Sequence, residues 1–264
     1  MNRKVYIQSA GFSPDQDYTW ITYEGGLYKQ EKPDYLYEMN YIVQSEAFSV
    51  VLACHKKNII LLVTGLKTKD RKDYHGRSIR NSIAWVSSYE EQKKFRELAA
   101  EIIIDSITEK KIWDYIDDAV KDAGNTWGYE VDSQKLIDLL DKEKVEIKNN
   151  IPVTYEEIRK KYCKNNRIAK NNPFRLKELA CELIYCDDKI FGNILKRNSS
   201  IIIAVTDKKS KDKFIEKNVF RGLSNLVDSD DWIDLSQNKN NYILLILLLG
   251  IIIILFFVIK ILRS

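Results

Sequence analysis

The N-terminal part of the chain alternates short apolar runs with glycine, proline and aspartate turn signals. Runs rich in Tyr, Ile, Val and Thr are typical of β-strands. They predict strands at residues 4–9, 19–23, 35–43, 48–54, 58–64 and 82–87. The fourth and fifth runs are almost continuously apolar, which predicts central strands covered on both faces and joined as a hairpin. Because these strands precede the first helix, an antiparallel or mixed sheet is favoured over repeated βαβ units.

Helical periodicity begins after this strand-rich section. Ser88 and Glu91 have the spacing of a capping box, and apolar residues then recur at helical spacing through residues 95–103. Similar patterns predict further helices at residues 112–123, 133–144 and 174–185. A late apolar run at residues 200–206 predicts a buried strand that returns to the sheet.

The C-terminal pattern is of another kind, since residues 242–259 contain no charged side chain. A helix needs about 20 mostly apolar residues to cross the hydrocarbon core of a bilayer. Residues 242–262, from Tyr242 to Leu262, have that length. A core helix that is apolar on every face is the less common alternative. The predicted fold class is therefore α+β: a strand-rich N-terminal section with a mixed or antiparallel sheet, a helical middle, and one C-terminal transmembrane helix.

The orientation of this helix is predicted from the two ends of the chain. The N-terminus lacks the apolar run of an export signal, and only two residues follow Leu262. Both features predict a tail-anchored, single-pass protein of the cell membrane, with the bulk of the chain in the cytosol. Lys260 and Arg263 make the far side slightly more basic, which argues weakly against this orientation.

These patterns divide the chain into three parts. We expect a cytosolic α+β domain at residues 1–227, with a subdivision near residue 150 as an option because Pro152 begins a second section. An acidic and polar linker is expected at residues 228–241, followed by the transmembrane helix at residues 242–262.

Charge and cysteine content narrow the possible partners. The chain has 42 Lys and Arg against 38 Asp and Glu, a net charge of +4 that is too mild to predict nucleic-acid binding. Basic clusters at residues 160–177 and 208–217 are either solvated faces or binding surfaces for anionic lipid. The four cysteines lack zinc-site spacing, and free thiols fit a reducing cytosol. We predict no metal and no cofactor.

The most unusual local composition lies at residues 64–81, which the pattern predicts as a long loop between two strands. Long loops on a rigid sheet often carry function. Its arginines are suited to grip a phosphate or carboxylate, Gly76 to allow close approach, and Asp73 to orient His75. The alternative is a solvated loop whose arginines and aspartates pair with each other. The predicted ligand-binding residues are Arg71, Asp73, His75, Gly76, Arg77 and Arg80.

Two classes of function fit these features best. The sequence has no phosphate-binding glycine loop, dinucleotide fingerprint, zinc-protease motif or nucleophile elbow. This favours a binding or adaptor protein that recognises a protein partner, a second copy of itself or an anionic ligand, and no catalytic residue is assigned. The alternative is a membrane-tethered enzyme acting on a phosphorylated or nucleotide substrate through residues 71–80. A pore-forming effector has less support, because Gly250 is the only small residue in the predicted span.

The predicted arrangement, a cytosolic α+β domain on a minimal C-terminal anchor, resembles in its architecture small membrane-tethered components of bacterial stress and antiphage defence systems. The resemblance implies that the soluble domain senses a signal or partner while the anchor fixes the response at the membrane.

Overall fold

The computed structural model describes residues 3–33, 35–36, 39, 41–43, 46–142, 165–185 and 201–235. They form an α+β fold with one large mixed sheet and few helices. The strands in these ranges are β1 Lys4–Ser9, β2 Thr19–Glu24, β3 Leu27–Gln30, β4 Ser49–His55, β5 Asn58–Lys72, β6 Ser78–Ser88, β7 Val120–Asp122, β8 Tyr129–Val131, β9 Arg167–Lys170, β10 Ile201–Thr206, β11 Arg221–Ser224 and β12 Ile233–Asp234. The helices are α1 Gln92–Asp105, α2 Lys111–Asp117, α3 Ser133–Asp138, α4 Pro173–Tyr185 and α5 Lys211–Glu216.

The large sheet joins an antiparallel part to a parallel part. Its order in the described residues is β12-β9-β11-β10-β4-β5-β6-β1-β2-β3, while β7 and β8 form a separate hairpin. Pairing is antiparallel from β4 to β3 along this order. β10, β11 and β9 are parallel to one another, with α4 and α5 in the connections between them. The predicted late strand is confirmed: β10 returns to the sheet and pairs with β4, with Ala204 opposite Val51.

This pairing bears on the optional subdivision near residue 150. Strands from before and after that position belong to the same sheet, and β10 lies directly beside β4. The two sections are therefore joined by backbone hydrogen bonds in the part of the chain that the structure describes.

Both faces of the central strands are covered. On one face, Val50 and Leu61 pack in a core with Phe95 of α1 and Leu179 of α4. On the other, neighbouring residues of the same strands pack with Phe214 of α5. The prediction of a central hairpin covered on both sides is confirmed. A strand buried on both faces has no polar side, which explains its continuous apolar character.

The hairpin between these strands has a two-residue turn. His55 pairs with Asn58, and Lys56 adopts a positive φ of 56°. Two-residue turns of this kind match the twist of the flanking strands. The predicted turn position is therefore confirmed.

The prediction of a strand at residues 35–43 is wrong. Its described residues are helical at Tyr35, Leu36 and Met39. Leu36, Met39 and Val43 are buried, and their separations of three and four residues match one face of a helix. The composition of the segment is typical of a strand, but the spacing of its apolar residues correctly indicates a helix.

Two helix predictions also need correction. The helix expected over residues 112–123 ends at Asp117, and the chain then forms the β7–β8 hairpin. The capping box is wrong in its detail, because Ser88 Oγ accepts from the amide of Glu90 at 3.4 Å. The Glu91 carboxylate instead accepts from Ser87 Oγ at 2.5 Å and pairs with the Arg3 guanidinium. The Glu91 side chain therefore pairs with Arg3, which is distant in sequence, and does not cap the helix.

The membrane prediction concerns residues that the structure does not describe. Among the described residues, no helix is long and apolar enough to cross a bilayer. The predicted span at residues 242–262 lies outside them. Within the expected linker at residues 228–241, Ile233–Asp234 forms β12 on the edge of the sheet and Leu235 is buried.

Candidate functional site

The stretch predicted as a long loop at residues 64–81 is instead a β-hairpin arm. β5 and β6 run through it and pair with bulges, so that only residues 73–77 form the turn. Burial alternates along β5: Leu66 and Thr68 are buried, whereas Lys67 and Lys69 are exposed. This is the period of two expected of a strand. The high charge of the stretch obscured that signal.

Asp73 organises the turn at the tip of the arm. Its Oδ1 accepts hydrogen bonds from the backbone N–H groups of His75 and Arg77, both at 2.9 Å, and its Oδ2 accepts from Arg77 Nε at 2.8 Å. Burial acts to raise the pKa of Asp73, but these hydrogen bonds outweigh it and the pKa is lowered. Gly76 takes a φ of +75° in the turn. The expected orientation of the His75 ring by Asp73 is not found: among the described residues Asp73 bonds the His75 backbone N–H and not its ring, whose centroid lies 3.9 Å from that of the Tyr74 ring.

Arg71 is separated from the other predicted ligand-binding residues. It is 8% exposed, and its three nitrogens donate to Asp122 Oδ1 at 2.6 Å, Ser9 Oγ at 2.9 Å and the carbonyl of Ala10 at 2.7 Å. Ser9 in turn donates to Asn81 at 2.7 Å. The guanidinium therefore ties β5 to β1 and β7, and each of its three nitrogens already has an acceptor within the fold.

Arg77 and Arg80 instead line a cleft of about 550 Å³ beside the arm. The lining residues carry four cationic and two anionic side chains. They are Tyr18, Glu46, Ala47, Lys67, Asp73, Arg77, Ser78, Arg80 and Lys208. The cations come from three places in the fold: the two strands of the arm, its turn, and the loop that follows β10. The excess of positive charge suits the cleft to an anionic group.

Lys67 and Arg80 form the centre of this charge. They are direct cross-strand partners, so their side chains leave the same face of the arm within about 5 Å of each other at Cβ. Like charges in this arrangement are destabilising. In the described part of the chain, the hydrogen bond of the Arg80 side chain goes to the carbonyl of Gly65, at 3.4 Å. The pair is therefore available to bind an anion, which would remove the repulsion.

Tyr18 adds a hydroxyl to the cleft. Its oxygen accepts a hydrogen bond from the backbone N–H of Arg80 at 3.0 Å. Within the described ranges no acceptor is found for the hydroxyl proton, which leaves it able to donate to a ligand. Because its hydrogen-bond partner is the backbone of Arg80, the hydroxyl lies close to the cationic side of the cleft.

The sheet topology explains why a cleft opens here. After β10 the chain passes through α5 to β11, away from β4. A space is thereby left at the carboxyl end of β10, next to the start of β4 and the base of the arm. Crevices outside the carboxyl ends of strands, where the connections diverge, are the usual ligand sites of open α/β sheets.

Gly65 allows the cleft-lining residue Ala47 to lie close against β5. It has a φ of +71°, and a Cβ there would lie 2.2 Å from the Ala47 carbonyl carbon. Thr64 Oγ1 donates to the same Ala47 carbonyl at 3.0 Å. The backbone at Ala47 is therefore held directly against β5, which brings Glu46 beside the arm.

Of the predicted ligand-binding residues, Asp73, Arg77 and Arg80 come together in the cleft lining, whereas Arg71, His75 and Gly76 do not. Sequence reasoning missed Tyr18, Glu46, Lys67 and Lys208 as members of the lining. Lys67 could have been identified from the sequence, because it lies between Leu66 and Thr68 and therefore points to the opposite face of the strand. The other three come from distant segments and carry no local signal.

Comparison with known protein families, with curated proteins and with solved structures finds no match to this chain.

Proposed function

We propose that this protein is a membrane-attached binding protein whose α+β domain captures an anionic ligand in the cleft beside the arm. The observation that carries the proposal is the convergence of Lys67, Arg77, Arg80 and Lys208 on one cleft of about 550 Å³. Phosphate and carboxylate groups are the anions that such donors bind best.

Two features make the cleft more suitable than an ordinary basic surface. First, Lys67 and Arg80 face each other across paired strands, and an anion between them converts repulsion into attraction. Second, the site lies on β5 and β6 of the large sheet and on the loop that follows β10, and these strands are supported by the core. Rigid support reduces the cost of ordering the binding groups.

Membrane attachment is the second part of the proposal. The uncharged run at residues 242–259 supports it, because that composition suits the hydrocarbon core. With the bulk of the chain in the cytosol, the cleft would report on a soluble anion or protein partner at the membrane face. This is the arrangement implied by the architectural resemblance to stress and antiphage components.

Anion binding is tested on the full chain in a neutral detergent. We expect pyrophosphate to raise the melting temperature, since a ligand at a hundredfold excess over its dissociation constant stabilises by about 2.7 kcal/mol. The double variant Lys67→Gln/Arg80→Gln should lose that shift while unfolding cooperatively. Lys93→Gln, at an exposed lysine of α1 outside the cleft lining, is the matched control. No shift with pyrophosphate in the wild type, or an equal shift in the double variant, would contradict anion binding at this site.

Membrane attachment is tested separately by cell fractionation. Replacing Leu249 and Ile252 with arginine should release the protein from the membrane, because each charge at the bilayer centre costs about 2.5–3.5 kcal/mol. Replacing the same two residues with alanine is the control and should leave the protein in the membrane fraction. Retention of the arginine variant would count against a span at these residues.

A membrane-tethered enzyme acting on a phosphorylated substrate is the second candidate. The Glu46 carboxylate favours it, because this acid lines the cleft, where a general base would have to lie, and has no ion-pair partner among the described residues. Release of phosphate from the bound compound, abolished in Glu46→Gln, distinguishes the enzyme from the binding protein.

A further inference from the structure

Two groups in the cleft are not explained by the binding of a simple anion. Glu46 places a carboxylate among the four cations, where it repels an incoming phosphate. Tyr18 places an aromatic ring there, 39% exposed, with its hydroxyl fixed on the arm by the Arg80 amide. A site built only for inorganic phosphate needs neither group.

The size of the cleft points in the same direction. A volume of about 550 Å³ lies within the range of about 300–1,000 Å³ found for sites that bind organic ligands. It is far more than one phosphate group fills. A ligand that fills the cleft therefore carries more than a phosphate group.

The three kinds of group define the ligand chemistry by their preferences. Lys67, Arg80 and Lys208 offer donors to a phosphate. The Tyr18 ring offers a surface on which a planar base stacks. The Glu46 carboxylate accepts only, so it selects a ligand that carries O–H or N–H donors.

Resting on the proposed anion-binding function, we infer that the ligand is a nucleoside phosphate. Its phosphate lies against Lys67, Arg80 and Lys208, its base against Tyr18, and a sugar hydroxyl or amino group donates to Glu46. A sugar phosphate shares the anionic and donor groups but lacks the stacking surface. The same is true of an inositol phosphate headgroup from a lipid.

The experiment compares AMP, ribose 5-phosphate, inositol 1-phosphate and pyrophosphate by calorimetry on the full chain in neutral detergent. We expect AMP to bind about tenfold more tightly than ribose 5-phosphate, which is the usual contribution of one stacked base. Tyr18→Leu should remove this difference, whereas Tyr18→Phe keeps the ring and should preserve it.

Glu46→Gln supplies an independent signature, because it removes the charge but keeps a polar group of the same size. AMP binding should weaken by about fivefold through loss of the charge-assisted hydrogen bond. Pyrophosphate binding should strengthen, because a repulsive charge has been removed. This opposite response of two ligands is not expected of a general loss of folding.

The outcomes separate the two proposals. Equal affinity for AMP, ribose 5-phosphate and inositol 1-phosphate, together with loss of all three in Lys67→Gln/Arg80→Gln, overturns the nucleoside inference and leaves the anion site in place. Parallel strengthening of AMP and pyrophosphate binding in Glu46→Gln also overturns it. If none of the four compounds binds the wild type, the anion-binding function itself fails.

Discussion

Arg71 and Arg80 lie on the two strands of one arm, in opposite environments. Arg71 is buried and donates to three oxygens of β1 and β7 and the segment after β1. Arg80 lines an open cleft and stands opposite Lys67. Burial of a charge without partners is costly, and Arg71 accordingly has an acceptor at each of its three nitrogens. The comparison teaches that a guanidinium with acceptors inside the fold has a structural role. A pair of cations that faces a cleft without such acceptors is instead able to bind a ligand.

Arg221 extends the buried class to the parallel part of the sheet. It is 1% exposed on β11, and it pairs with Glu182 of α4 at 2.7 Å and 2.9 Å. Arg221 Nη1 also donates to the Asn165 carbonyl at 2.6 Å. The pair fixes α4 over the parallel strands of the sheet.

The largest expected effect comes from breaking this buried pair. Glu182→Gln leaves the Arg221 charge uncompensated and should lower the free energy of unfolding by about 3 kcal/mol, measured by urea denaturation. Glu216→Gln removes an exposed acid paired with Lys213 on α5 and should have no measurable effect. Equal stability of the two variants would show that burial does not distinguish structural from surface charge in this protein.

A smaller loss of stability is expected for Arg71→Met. The change leaves Ser9, the Ala10 carbonyl and Asp122 without their donor, at a cost of about 2 kcal/mol. Pyrophosphate affinity should stay within about twofold of the wild type, because Arg71 lies outside the cleft lining. Lys72→Met, at the exposed neighbouring position, is the control for stability. Loss of binding without loss of stability would reverse the assignment of Arg71.

Lys67→Gln should show the converse behaviour. Removing one of two opposed like charges should leave the melting temperature unchanged or slightly higher, since the repulsion is relieved. Pyrophosphate affinity should fall by about tenfold or more, as expected for one charged hydrogen bond. Lys69→Gln, on the exposed side of the same strand and outside the cleft lining, should retain the affinity. A Lys67 variant that loses stability but keeps its affinity would place this residue in the structural class.

The smallest effect is expected for Asp73→Asn, which keeps an acceptor for the turn amides but releases Arg77. Although burial acts to raise it, the folded-state pKa of Asp73 lies below 3.8 because of the hydrogen bonds from Arg77 and His75. Its ionised form therefore contributes stability that is present above this ordinary value and is lost as the pH falls through the lower folded-state value.

Thermal melts of the wild type and Asp73→Asn should accordingly differ slightly at neutral pH and converge below about pH 4. At neutral pH the variant should bind sulfate about twofold more tightly, because Arg77 is freed from its partner. A difference in melting temperature that grows as the pH falls has the wrong sign for this ion pair.

The elements that could be predicted are those whose cause lies in their own residues. The β4–β5 hairpin is one, since two continuous apolar runs surround a short polar turn at Lys56 and Lys57. α4 is another, because its apolar residues recur at helical spacing. The strand prediction at residues 35–43 was wrong because it followed the β-forming composition of the segment and not the helical spacing of its apolar residues. The arm was predicted as a loop because its buried face contains the polar residues Thr68 and Arg71. Buried and exposed positions therefore do not alternate as apolar and polar residues along the whole strand.

The candidate site was predicted only in part for the same reason. Arg77 and Arg80 drew notice through local charge density, and they do line the cleft. Arg71 has the same local signal, yet its partners Ser9 and Asp122 are distant in sequence, so that its burial was not visible. Nothing near Tyr18 or Glu46 in the chain indicates a shared site.

The sequence by itself determined the α+β class, the central hairpin, α4 and the concentration of positive charge in residues 64–81, because each depends on contacts within one segment or on side-chain period. Only the tertiary structure decided which charged side chains have partners inside the fold and which face the cleft. That distinction depends on β10 joining β4, on Gly65 admitting the backbone of Ala47, and on the chain turning away from β4 after β10. These are long-range contacts, and the same arginine side chain becomes a structural tie or a ligand donor according to what they place beside it.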